Sequence, residues 1–294
     1  MNDRLKGGLA VFIAYVLWGA MPVYWRTLRS LPATEILCYR IIWSFAFLAA
    51  LLLVQHKAGA VLAALRGNRS LLRLLAASGL LITLNWYLYI WAVNRGMVLS
   101  VSLGYFINPL MSILLGVALF RERLRPLQRT AVLIAAAGVC VEIVGLRRLP
   151  AISLAVAASF AAYGALRKKT AVEPAGGLFA ETAMTAPFAL LWLLFSQRAG
   201  AWSFPHSLRL DLLLAGAGVL SSLALLLFTW GARRIRLSTV GLIQYTSPIM
   251  TFFLAVFIYG EDCPPLKLAA FALIWLGIAV FSIDSLRAAR RVTA

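Results

Sequence analysis

Residues 99–123 read LSVSLGYFINPLMSILLGVALFRER, and the landmarks of this stretch return later in the chain. A gapless shift of 139 residues lays Pro109 on Pro248 and Glu122 on Glu261. The same shift lays Gly79 on Gly218, Trp91 on Trp230, Ser100 on Thr239 and Gly138 on Gly277. Apolar coincidences carry little weight in a chain rich in Leu and Ala, whereas coincident Pro, Trp and Glu carry more. The pattern predicts a duplicated unit, each copy holding an apolar helix broken by proline near its middle, at Pro109 and at Pro248.

Composition sets the class. Of 294 residues, 62% are apolar and 13% charged, with a mean hydropathy of +0.88. Repeated apolar runs of this kind cross the hydrocarbon of a bilayer at a rise of about 1.5 Å per residue. The expected fold is an all-α membrane protein of ten spans, at roughly 8–27, 34–54, 72–93, 98–120, 127–145, 150–167, 177–195, 211–232, 237–259 and 266–284. Five fall in each half, 1–147 and 148–294. The first follows Arg4 and Lys6 as a signal peptide would, but its apolar run is longer and ends in MPVYWR without a cleavage signal.

The net charge of +18 raises the question of nucleic acid. A nucleic-acid binder gathers Lys and Arg on one face or arm; here they lie in short gaps between apolar runs and act as topology signals. With the N-terminus in the cytoplasm, nineteen basic residues fall in cytoplasmic segments and eight on the opposite side, with Arg40 inside a span. The bias places both termini in the cytoplasm. An odd number of spans per half then turns the second copy upside down, the inverted repeat of many secondary transporters. Cys38, Cys140 and Cys263 have neither metal-ligand spacing nor a disulfide framework.

Polar residues inside the spans are the functional candidates. Arg40 either lines a cavity or snorkels to the outer interface. Glu35 and Glu181 each open the second span of their half, as helix-end carboxylates favoured by the dipole or as proton-coupling groups. Asn85 and Trp86 lie deep in span three, lining a cavity or packing helices, with Tyr89 one turn from Asn85. Span four carries Ser100, Gly104, Asn108 and Ser112 at four-residue intervals, and span nine offers Gly241, Gln244, Ser247 and Thr251. Such small and polar stripes let helices approach closely; beside Pro109 and Pro248 they also suggest a central pathway. No nucleophile elbow, phosphate loop or metal-spaced cluster appears, so no enzyme, cofactor or metal is expected.

The segments EILCYRIIWS (35–44), NWYLYIWAVN (85–94), LGYFINPL (103–110) and YGALRKK (163–169) resemble the drug/metabolite transporter superfamily, whose repeat is the EamA domain. With QY (244–245), YGE (259–261) and FALIW (271–275), the likeness is closer to its RarD branch. Arg121 departs from the family, which often has Gly before the Glu that ends span four. The resemblance implies a multi-pass permease of the bacterial inner membrane with a central cavity between its halves. It would move a small solute, exporting amphipathic metabolites, amino-acid-like compounds or drugs, as a monomer or homodimer and with proton coupling open. The expected pathway residues are Arg40, Asn85, Trp86, Tyr105, Asn108, Tyr163, Gln244 and Tyr245. The alternative is a membrane interaction protein that transports nothing.

Overall fold

The structure, a computed structural model, describes residues 3–121, 124–147, 149–170, 172–198, 207–232, 234–235 and 243–291. Among them every regular element is helical. The order is α1 (Asp3–Thr27), α2 (Ala33–Val54), α3 (Ala58–Leu65), α4 (Arg69–Asn94), α5 (Val98–Phe120) and α6 (Pro126–Leu146). It continues with α7 (Ala151–Lys168), α8 (Pro174–Arg198), α9 (Leu208–Ala232), α10 (Thr246–Phe253), a π-helical turn (Leu254–Ile258) and α11 (Pro265–Arg291).

Eight of these helices are long and apolar enough to cross a membrane: α1, α2, α4, α5, α6, α8, α9 and α11. Exposed Leu, Phe and Trp side chains cover their outer faces, among them Leu80, Leu133, Phe188 and Leu212. In water such a surface would aggregate; against lipid it is the favoured one. The chain is a multi-pass membrane protein. The expected sixth span is α7, eighteen residues ending in Arg167 and Lys168. The expected ninth opens on residues outside the described ones and appears as α10 and its π turn. The short helix α3, which buries no side chain, was not expected.

The proline expectation needs correcting. α5 runs without interruption through Pro109. Proline there removes the hydrogen bond that the Tyr105 carbonyl would accept, yet the helix continues, because packed neighbours on both sides hold it. Pro248 lies in the first turn of α10, just after turn residues Gln244 and Tyr245. Its missing N–H falls where helices have unsatisfied donors anyway. Only the second proline sits at a break.

Helices of one half pack on helices of the other. α6 lies against α11, α5 against α7, and α10 against α1 and α5. α1 packs on α9, α4 on α7 and α8, and α2 on α8 and α9. Ion pairs fix directions. Lys57, just past the end of α2, meets Glu173, just before α8, at 3.4 Å, so α2 and α8 run antiparallel. Arg125 at the start of α6 meets Asp284 near the end of α11 at 2.6 Å, so those two are antiparallel as well. The largest fully buried side chains include Trp25, Phe106 and Phe271. Phe106, Phe252, Phe271 and Trp275 form one aromatic cluster between α5, α10 and α11.

Candidate functional site

Arg40 is the eighth residue of α2, about 10 Å along the helix from its first residue, and is only 7% exposed. It does not snorkel to the surface. Its guanidinium lies 4.0 Å from the centre of the Trp86 ring on α4 and 5.0 Å from that of Trp25 on α1. Its Nε is buried without a hydrogen-bond partner. Among the described residues no carboxylate stands within ion-pair distance, and its electrostatic neighbours are the hydroxyls of Tyr105 and Tyr89. A cation–π contact contributes roughly 0.5–2 kcal/mol. Burying a charge costs several kcal/mol. Two ring faces therefore offset only part of the cost.

From Arg40 the side chains form a column. The Tyr89 and Tyr105 rings meet edge to face at 5.7 Å, Tyr105 meets Phe160 at 6.2 Å, and Phe160 meets Tyr163 at 6.0 Å. The Tyr163 hydroxyl donates to Glu181 Oε2 at 3.3 Å. Glu181, 1% exposed, also accepts from Ser78 Oγ at 2.5 Å. Arg167 Nη1 lies 3.6 Å from its Oε1, an ion pair without a hydrogen bond. Glu181 is the eighth residue of α8, as Arg40 is of α2. Since those helices are antiparallel, a lone cation stands near one end of the column and a paired carboxylate near the other.

The expected residues divide. Arg40, Trp86, Tyr105 and Tyr163 lie on the column. Asn85 instead ties two helices together: its amide donates to Val156 O and Ser159 Oγ on α7, both at 3.0 Å. Asn108 is half-buried, with its Oδ1 left without a donor. Tyr245 stacks on Phe106 with ring centres 6.4 Å apart, beside the aromatic cluster, and Gln244 precedes it in the turn. Glu35 sits buried in the first turn of α2, a helix-end carboxylate. Glu181 does not fit that description, because α8 begins at Pro174 and puts it two turns in. Four participants escaped the sequence reading: Trp25, Phe160, Ser78 and Arg167. Phe160 and Tyr163 share a helix face at i, i+3 spacing, which was legible; Arg167 was indistinguishable from a loop charge.

The sequence pattern of the EamA-like transporter family matches this chain at residues 5–143 and at 149–283. The chain belongs to that family. It is 44% identical to Protein RarD of Salmonella typhi, over 97% of each chain. It is 43% identical to the uncharacterized transporter YojE of Bacillus subtilis, over 97% of this chain and 96% of that one. A solved crystal structure covers 94% of this chain and 97% of its own at a TM-score of 0.60 and 21% identity, a likeness of fold alone. The family and these relatives make this chain a membrane transporter.

Proposed function

We propose that this EamA-like protein is a secondary transporter of the bacterial inner membrane. It carries a small amphipathic solute outward through the space between its halves by alternating access. The observation that carries this reading is the column itself, which joins α2, α4 and α5 of one half to α7 and α8 of the other through polar and aromatic side chains. The helix packing supports an inverted repeat. Exchanging first-half helices for their second-half counterparts turns the pair α5–α7 into α10–α1, and α4–α7 into α9–α1. Counterparts α2 and α8, and likewise α6 and α11, pack antiparallel. Two halves so related can rock about a common site and expose it alternately. The basic bias of the loops supports both termini in the cytoplasm. Glu181, with Tyr163 as hydroxyl neighbour, is the group best placed to couple a proton.

Reconstitution tests transport. Counterflow of a broad solute panel should be faster in liposomes containing the protein, and slower again with Asn108→Ala. Equal uptake with and without protein across the panel would sink the reading. Topology is tested by thiol labelling in a cysteine-free background: Gly67→Cys and Ile235→Cys should react from the same face.

A protein that only packs and binds neighbours is the second reading. The apolar cluster of Phe106, Phe252, Phe271 and Trp275 favours it, because that part of the interior is filled with rings.

A further inference from the structure

The described guanidiniums near the two ends of the column differ in one respect. Arg167 has a carboxylate, and Arg40 has none. Arg40 is buried, its Nε is without an acceptor, and what surrounds it is aromatic: Trp86 and Trp25 beneath the cation, Tyr89 and Tyr105 beside it. A guanidinium held over an indole keeps its edge free, and that edge matches the two oxygens of a carboxylate. The rings next to it present faces and edges on which a flat apolar body packs. Inside a membrane an unpaired arginine marks a pathway or a ligand.

We propose that Arg40 binds the carboxylate of a small organic anion whose aromatic body lies against Trp86, Tyr89 and Tyr105. That the anion crosses the membrane rests on the transport reading; that it binds does not. The site selects by charge first and by shape second. A neutral amide of the same shape leaves the guanidinium unpaired, and an amine repels it.

The test is binding to the full-length protein in phosphatidylcholine nanodiscs, followed by tryptophan fluorescence. The probes are phenylacetate, phenylacetamide and phenethylamine. Phenylacetate should saturate at a concentration about tenfold or more below phenylacetamide, and phenethylamine should not saturate. Arg40→Gln should erase the difference between acid and amide, Arg40→Lys should keep part of it, and Trp86→Phe should weaken all binding while keeping the preference for the acid. Equal half-saturation by the three probes on the unaltered protein overturns the proposal, as does an undiminished preference in Arg40→Gln. Should Arg40→Gln not fold, the probe series on the unaltered protein and on Trp86→Phe decides. A response to added phosphatidylglycerol with none to phenylacetate assigns the cation to a lipid headgroup and also overturns it. Counterflow separates this claim from transport. An acid preference without counterflow upholds the anion site and sinks transport, whereas counterflow without an acid preference does the reverse.

Discussion

Arg121 and Gly260, 139 residues apart, both adopt the left-handed backbone, with φ of 54° and 63°. Each follows the apolar helical stretch of its half, Arg121 as the residue after α5 and Gly260 two after the π turn. Glycine takes this conformation freely, and an L side chain at the same angles costs roughly 1–2 kcal/mol. Arg121, the departure from the family pattern, therefore keeps the turn and bears strain for it. Arg121→Gly should raise stability by about 1 kcal/mol and Gly260→Ala should lower it by a similar amount. Thermal unfolding in detergent reads both, and a loss of stability in Arg121→Gly would contradict the argument.

Glu261 caps a helix in the other half of the molecule. Its carboxylate accepts from the backbone N–H of Val98 at 2.7 Å and of Leu99 at 2.8 Å, in the first turn of α5. Burial pushes its carboxyl up, and the two N–H groups with Arg26 and Lys267 pull it back only in part. A raised value means that the folded chain holds the proton more tightly than the unfolded one. The stability linked to this group is thus fully present below the unfolded glutamate value, about 4.3, and is lost as pH rises through the folded value. Glu261→Gln keeps an acceptor and cannot ionise. The stability of the natural chain relative to Glu261→Gln should fall over that window and level off above it, in chemical denaturation at stepped pH. Glu261→Ala should leave the turn uncapped, at a cost of about 1 kcal/mol below that window which shrinks as pH rises through it.

The seam between α6 and α11 depends on two glycines in matched places. A Cβ on Gly138 would stand 2.8 Å from the Ala270 carbonyl oxygen, and one on Gly277 would stand 2.6 Å from that of Ala131. The pairs map onto each other by the 139-residue shift. In each case the obstacle is backbone, so the helices must separate to admit a methyl group. Gly138→Ala and Gly277→Ala should each destabilise by about 1–3 kcal/mol. The double variant should lose less than the sum, because one separation relieves both contacts. Gly8→Ala, which meets nothing nearby, serves as the control.

Eight of the expected spans were legible because the hydrophobic runs are long; the expectation of a repeat came from Pro, Trp and Glu, which mark a register that Leu and Ala blur. The Arg40 site was half legible. Charge within a span drew notice, but its ring partners come from α1 and α4, and no spacing within one helix announces them. Asn85 illustrates the opposite failure. Its depth fitted pathway and packing equally, and only the position of α7 decides for packing. Arg167 was out of reach for a simpler reason: a basic residue at a span end obeys the topology rule whether its side chain turns outward or, as here, back toward Glu181.

That turn inward sets up the sharpest test at the paired end of the column. Glu181 and Arg167 are 1% and 14% exposed by side chain, so solvent screens their attraction little. Removing one partner leaves the other charge buried, at a cost of about 3–5 kcal/mol, and Glu181→Ala should lose that much. Removing both, as Glu181→Ala with Arg167→Met, should recover a large part of it. Glu181→Gln should cost less than Glu181→Ala, because the amide still meets Ser78 and Tyr163. This milder variant separates structure from coupling. Folded Glu181→Gln protein in liposomes should retain counterflow, which needs no gradient, and lose the acceleration of uptake by an imposed pH difference. Uptake that still follows the pH difference in Glu181→Gln would make Glu181 a packing residue and move the proton to another group.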